Sequence, residues 1–483
     1  MNTERLQPID RLAIALITLL ALIMGLLIWG NSACDRNCLF HSGARVSDFN
    51  WQNQTIGRED RAFVLSFNRP MNRDSVEQNL TITPALPGKI SWSGLRLAYT
   101  LKSPAPYGET YQVSLAGATD RLSDQKQPGK TIEPFEGEFR SRDRAFAYIG
   151  TQGVEKGKLI LYNWTQQQSQ ILTPDNLTVF DFEPYPQGDR ILFSAADSQL
   201  GSKGIQNLQL YRVDTGLNAK PANNLRVELI LDNQKYQNNK FDLARNGQTI
   251  VVQRLNRDNP VEYGLWMIVD NQPPQLITDD QIGDFLIAPD SQTVAVAQGE
   301  GIALLPLEAD AEPLDFLPRF GQVLDFTADG TGAAMIDYNT DNAKLRYTRS
   351  LFYVNNQGIQ QELLNTDGSI QNCQFDPTAT HLYCWLTELA AGEEYIEKPY
   401  IAEIDLKTKQ AKTIVSLAEY QDSKLSIAPD GLGILFERSL KNAVIDFESN
   451  KSIWLLIPSG TQADSIYNAE KLPFIGFHPQ WLP

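Results

Sequence analysis

Apolar and polar residues alternate with a period of two along most of the chain, and turn-forming residues cut the alternation into short runs. "RAFVLSF" (61–67), "LRLAYTL" (95–101) and "TYQVSL" (110–115) set apolar side chains on one face and polar ones on the other, the pattern of half-buried strands. Between such runs stand Asn68-Arg69-Pro70, Pro87-Gly88 and Pro106-Tyr107-Gly108, residues that fix φ or tolerate a reversed one. Short strands spaced in this way over residues 47–142 predict one β-sandwich.

Beyond Arg142 the alternation itself recurs. A strand, a tight turn and a second strand appear as "FDFEPYPQGDRILFSA" (from Phe180), "FDLARNGQTIVVQR" (Phe241), "FLIAPDSQTVAVAQ" (Phe285), "LDFTADGTGAAMID" (Leu324), "CQFDPTATHLYCWL" (Cys373) and "LSIAPDGLGILFER" (Leu425). A partial copy, "IGFHPQWLP", closes the chain. Between the copies lies a second hairpin, as in "GLWMIVDNQPPQLIT" (Gly264) and "YIAEIDLKTKQAKTIV" (Tyr400), and two hairpins make one four-stranded propeller blade. Aligning the turns at 184, 245, 289, 328, 377, 429 and 479 gives repeats of 39 to 61 residues, so seven blades are favoured over six. Residues 145–173 lack a first strand and the C-terminal "FIGFHP" lacks the rest of a blade; joined, the two close the ring without a free edge.

One segment breaks the pattern. Leu12–Trp29 is 18 residues without a charge, and about 27 Å as a helix, near the thickness of a bilayer core. It is expected to be a transmembrane signal anchor, with residues 1–11 as a cytoplasmic tail and 30–46 as a polar linker. A signal cleaved after Ala33 and a lipid on Cys34 are the alternatives.

The expected fold class is therefore all-β: an N-terminal transmembrane helix, a sandwich over 47–142 and a propeller over 143–483. Within it Cys373 and Cys384 are symmetric about the Asp376-Pro377-Thr378 turn and face each other across a hairpin. A structural disulfide there would persist in an oxidising compartment, which places residues 30–483 in the periplasm or at the cell surface. Two buried thiols are the alternative.

The sandwich region resembles the bacterial Ig-like domain of the surface-layer type. The resemblance rests on Phe67, Pro70-Met71, Ser75-Val76, Ile82, Pro84, Gly88, Trp92 and Gly108-Glu109-Thr110-Tyr111. It implies a spacer or adhesion module without catalysis. The repeat region resembles the propellers of TolB-like and WD-like repeat proteins, through turns such as Ala428-Pro429-Asp430-Gly431 and Ala288-Pro289-Asp290-Ser291. Arg245-Asn246-Gly247, Pro377-Thr378-Ala379 and Pro184-Tyr185-Pro186 depart from that turn.

Composition narrows the function. With 42% apolar residues the chain folds, and a formal net charge of −16 without a basic run opposes nucleic-acid binding. Candidate chemistry is sparse. Of the three histidines, His41 follows the membrane segment, His381 sits by a hairpin turn and His478 lies in the terminal "FHPQ" copy; no G-x-S-x-G or H-E-x-x-H accompanies them. "DGTGAAM" (329–335) opens no helix and reads as a turn, while Glu308, Asp310, Glu312 and Asp315 lack calcium-loop spacing and read as a solvated edge. Cys34, Cys38 and His41 lack a fourth metal ligand nearby. Asp290, Asp329 and Asp430 recur because the turn favours them, and Trp266, Trp385 and Trp454 read as packing between blades. The sequence thus predicts no catalytic residue, cofactor or metal, and a non-enzymatic anchored envelope protein whose propeller binds an envelope protein or cell-wall polymer. Its alternatives are an exported propeller enzyme, hydrolase or lyase, working in the channel, and a transmembrane sensor.

Overall fold

The structure is a computed structural model, and it describes Leu20 and residues 43–58, 60–121, 130–217, 226–270, 272–280, 282–309, 312–390, 396–417, 424–438, 451–459 and 466–483. Among these no helix is long and apolar enough to cross a membrane. The expected anchor, apart from Leu20, and the expected linker up to residue 42, with Cys34, Cys38 and His41, lie outside the described residues, as does Asp310; residues 43–46, expected in the linker, belong to the sandwich, where Ala44 is buried and Val46 begins a strand. The chain forms two units, Met1–Ser141 and Arg142–Pro483.

The first unit is a β-sandwich. One sheet runs Val46–Phe49, Ala62–Phe67, Arg96–Leu101, Gly88–Ser93, and the other Thr55–Ile56, Phe135–Ser141, Thr110–Leu115, Leu80–Thr83. Alternation along the strands buries Phe63, Leu65 and Leu97 from the first sheet against Tyr111, Val113 and Phe139 from the second. A short helix, Arg73–Asn79, was not anticipated. Asn72 caps it by accepting from the Ser75 N–H at 3.2 Å, Asp74 suits its first turn, and Val76 is its one buried residue.

The second unit is a seven-bladed β-propeller. Five blades are separate four-stranded antiparallel sheets, and the last two share the strand Ile466–Trp481 within one seven-stranded ladder. Up to Ile475 that strand pairs with Ser452–Ser459 as the outermost strand of blade 6; from Gly476 it pairs with Ala145–Gly150 as the innermost strand of blade 7. The C-terminus and the start of the unit thereby close the ring. The innermost strands of blades 1 to 6 are Leu177–Pro184, Tyr236–Leu243, Phe285–Ile287, Phe320–Phe326, Ile370–Phe375 and Ser426–Ile427.

The turn after each innermost strand has one geometry. Tyr185, Ala244, Ala288, Thr327, Asp376 and Ala428 each donate their N–H to the carbonyl five residues on, and three residues after each the backbone is left-handed: Gly188, Gly247, Ser291, Gly330, Ala379 and Gly431. Leu482 is the seventh member, donating to Ala145. Two sequence alignments therefore move. In blade 1 the proline of the turn is Pro186, two residues beyond the expected 184, because "EPYPQG" holds two prolines. In blade 7 "FHPQ" is not the turn, and His478 falls four residues before it.

Neighbouring blades are clasped by side chains of the innermost strands. The residue two before the turn origin accepts an N–H from the next blade: Glu183 from Leu243 (3.0 Å), Asp242 from Ile287 (2.6 Å), Asp325 from Phe375 (2.8 Å), Gln374 from Ile427 (2.9 Å) and Ser426 from Trp481 (2.9 Å). Between blades 3 and 4 the position is Leu286, which has no acceptor, and between blades 7 and 1 the would-be donor is Pro184, which has no N–H.

Candidate functional site

A cavity of about 380 Å³ is lined by the innermost strand of all seven blades, so the blades surround one axis and the cavity is the mouth of the central channel. Alternation along the strands sends two layers of side chains toward it. The deeper layer contains the clasping residues Glu183, Asp242, Asp325, Gln374 and Ser426. The upper one contains Asp181, Lys240, Asp284, Gln322, Asn372, Lys424 and His478. A second cavity of about 500 Å³ shares Asp181, Gln371, Asn372, Lys424 and His478 with the first.

His478 reaches this layer by a local departure from strand geometry. The register with Ala145–Gly150 shifts between Phe477 and Gln480, a β-bulge, and His478 itself has φ of 53°. Bulges re-aim side chains, and left-handed backbone on a side-chain-bearing residue is held only by its surroundings. Here the surroundings are explicit. The His478 N–H donates to buried Glu437, which also faces Lys451 at 3.5 Å, and the imidazole packs on Phe182 with ring centroids 4.8 Å apart.

The imidazole lies between two charges. Its Nδ1 is 2.8 Å from Asp181 Oδ1, and its Nε2 is 3.3 Å from Lys424 Nζ, which in turn lies 3.4 Å from the same carboxylate oxygen. Burial raises the Asp181 carboxyl, but His478, Lys424 and the Phe182 N–H outweigh it and hold the group well below the usual carboxylate range. Its side chain is 44% accessible to channel water. Asp181 thus stays ionised and fixes the ring tautomer, with the proton on Nδ1 and Nε2 as the basic nitrogen.

Across the mouth Asp284 pairs with Lys240 and accepts from Gln322 Nε2 at 2.9 Å. Beneath, the Leu243 N–H is 3.0 Å from both the Glu183 and the Asp242 carboxylates. Burial and the charges of Asp242 and Asp181 push Glu183 well up; burial raises Asp242 too, against the Ile287 N–H and Lys240. The two carboxyls share one N–H and titrate together, Glu183 being the more strongly raised. Burial lifts Asp325 to about 7 in spite of the N–H groups of Phe375 and Phe326.

Of the described residues singled out in the sequence, His478 and Cys373 line the mouth and the rest fall elsewhere. Cys373 and Cys384 are bonded as directly opposed partners of blade 5, and among the described residues no cysteine is free. His381 stands by its hairpin turn, 3.9 Å from Asp405 and off the channel wall. The Asp290, Asp329 and Asp430 side chains accept N–H groups of their own turns, and Asp329 opens a hairpin, not a phosphate loop. Trp385 is fully buried, while Trp266 and Trp454 pack against clusters that join neighbouring blades. Of the two described histidines, His478 alone is in the mouth. Among the described residues no group of three or more His, Cys, Asp or Glu is placed to hold a metal ion. The signal for the upper and deeper layers was present in "FDFE", "FDLA", "DFLI" and "LDFT": acidic residues inside strands whose neighbours are core.

No family model matches the chain, and no curated protein does. Among solved structures it is similar to an oligogalacturonate lyase from Vibrio parahaemolyticus, at 12% identity and a TM-score of 0.46 over 73% of this chain and 99% of that one. It is similar to TolB from Acinetobacter baumannii at 11% identity and a TM-score of 0.40, over 84% and 83% of the two chains. A third is prolyl oligopeptidase B from Galerina marginata, at 9% identity and a TM-score of 0.46, over 70% of this chain and 51% of that one. Likeness this low assigns no activity. The expectation that the chain is not an enzyme does not stand against the geometry of the mouth: the acid–base groups that look sparse along the sequence are gathered there by the ring.

Proposed function

We propose that the protein is an exported propeller enzyme, a hydrolase or lyase, whose acid–base chemistry takes place in the channel mouth. The observation that supports it is the bulge at His478, where the backbone takes a left-handed turn and the imidazole meets Asp181 and Lys424. A carboxylate-oriented imidazole is a general base, and a neutral carboxyl on the same cavity is a general acid. As Lys424 turns to the substrate, His478 Nε2 takes a proton either from water, whose oxygen then bonds to the substrate atom that loses the leaving group, or from a carbon acid, whose C–H electron pair becomes the new double bond. Glu183 delivers its proton to the leaving group, and the electron pair of the broken bond stays with that group. Asp181 compensates the imidazolium that forms.

Export is supported by the disulfide of blade 5, which an oxidising compartment preserves. Leu12–Trp29 is its proposed anchor.

The test is turnover by the full chain on a panel of glycosides, esters and lactones, read by mass spectrometry of products. His478→Asn and Asp181→Asn are expected to lower kcat/KM by about 100-fold or more, beyond what any fall in melting temperature accounts for. Absence of turnover across the panel, or turnover that both variants keep, defeats the proposal.

A further inference from the structure

The groups of the mouth differ in what they leave unsatisfied. Lys240 and Lys424 are matched by Asp284 and Asp181, so the upper layer carries no surplus of positive charge. Beneath it stand three carboxyls, Glu183, Asp242 and Asp325, and no cationic side chain. An anion entering the mouth meets no unmatched cation and a negative floor.

What the mouth offers instead is hydrogen-bonding capacity of both signs. Gln371 Oε1, in the wall of both cavities, is buried and lacks a hydrogen-bond partner among the described residues. An orphaned buried acceptor is destabilising until a donor reaches it. Beside it Asn372 uses its Oδ1 to accept from the Leu425 N–H at 3.3 Å, which turns its amide donors to other partners. Phe182, Phe241 and Phe285 border the mouth but are buried in the cores between blades, so its accessible lining is mainly polar. Donors and acceptors without net cationic charge suit an uncharged molecule bearing many hydroxyls. A cavity of 380 Å³ is at the small end for ligand sites, enough for about one or two sugar-sized rings.

We infer that the channel mouth takes an uncharged, hydroxyl-rich ring compound, anchored by a hydroxyl donated to Gln371 Oε1 and by the Asn372 amide, and that it rejects the corresponding acid. This assignment rests on the channel mouth being the working site. A cell-wall polymer, one of the partners expected from the sequence, would present units of this chemistry.

The experiment uses one ring in three charge states: methyl glucoside, glucuronate and glucosamine, with a neutral disaccharide set beside them, each titrated into the full chain by saturation-transfer NMR. The expected result is binding of neutral rings, none of glucuronate, and about fivefold weaker binding in Gln371→Leu and in Asn372→Ala. Equal or stronger binding of glucuronate overturns the assignment, as does preference for glucosamine or silence from every neutral ring. Unchanged affinity in two variants that melt like the parent overturns the anchoring residues. Binding is read without turnover, so a failed assay for catalysis leaves this result intact. Conversely, turnover of a non-sugar ester that depends on His478, with no neutral ring bound, removes the substrate class and keeps the catalyst.

Discussion

Asp325 carries a testable pH dependence. Its carboxyl sits at about 7 in the fold against 3.8 ordinarily, so the folded chain binds more protons than the unfolded one between those values. Its contribution is complete below that window and is lost as pH rises through it. In Asp325→Asn the drop in unfolding free energy between pH 5 and 8 is expected to shrink by about 2 kcal/mol, channel water having cut the full linkage value. Denaturant titrations at both pH values check this, and an unchanged drop would exclude Asp325 as its source. A second prediction concerns Ala379 (φ 52°), which occupies the left-handed turn position that glycine fills in four other blades. Ala379→Gly is expected to stabilise by about 0.5–1 kcal/mol, the opposite sign from an Ala→Gly change in ordinary backbone. A lowered melting temperature would mean that the turn is not strained. The departure of this turn from Pro-Asp-Gly was legible in the sequence. The role of His478 was not, because Phe-His-Pro imitates a turn approach and only pairing with Ala145–Gly150 exposes the bulge.

At the scale of elements, alternation located strands to within a residue wherever one face is buried, as at Ala62–Phe67, Arg96–Leu101 and Thr110–Leu115. It said nothing of Arg73–Asn79, whose single buried residue leaves no periodic trace. It also could not set register where two prolines compete, as in blade 1, since the deciding hydrogen bond, Tyr185 N–H to Arg190, is a pairing rather than a residue property. The hairpin of Ile370–Phe375 and His381–Leu389 shows what symmetry about a turn can give: Cys373 and Cys384 are direct partners at 4.1 Å between Cα atoms. Its bridge closes a short loop worth about 2–3 kcal/mol in a chain-entropy account. The double variant Cys373→Ala/Cys384→Ala is expected to unfold at correspondingly lower denaturant. Because Cys373 also lines the mouth, the variant tests whether blade 5 keeps Asn372 in place. Binding weakened by more than the melting shift accounts for would show that it does not.

For the whole molecule, the pattern of clasps divides the ring. Blades 1 to 3 are joined through Glu183 and Asp242, and blades 4 to 7 through Asp325, Gln374 and Ser426, while the 3–4 and 7–1 interfaces lack that bond. At those two interfaces a carboxylate of the upper layer bridges instead: Asp284 accepts from Gln322 of blade 4, and Asp181 meets His478 of blade 7. The bridges that complete the ring are thus the groups that face the mouth. A ligand competing for them loosens the ring, and one that adds partners to them tightens it. The 7–1 interface is further tied by the shared strand ladder and by Arg142, which donates to Pro483 at 3.0 Å, so opening is expected first between blades 3 and 4. Asp284→Ala removes that bridge at a cost of about 1–2 kcal/mol. Amide exchange should then accelerate about five- to tenfold at Phe285–Ile287 and Phe320–Phe326, with little change at Ile427 or Trp481. Uniform acceleration around the ring would instead describe a propeller that opens as one body, and would detach the mouth from the mechanics of closure.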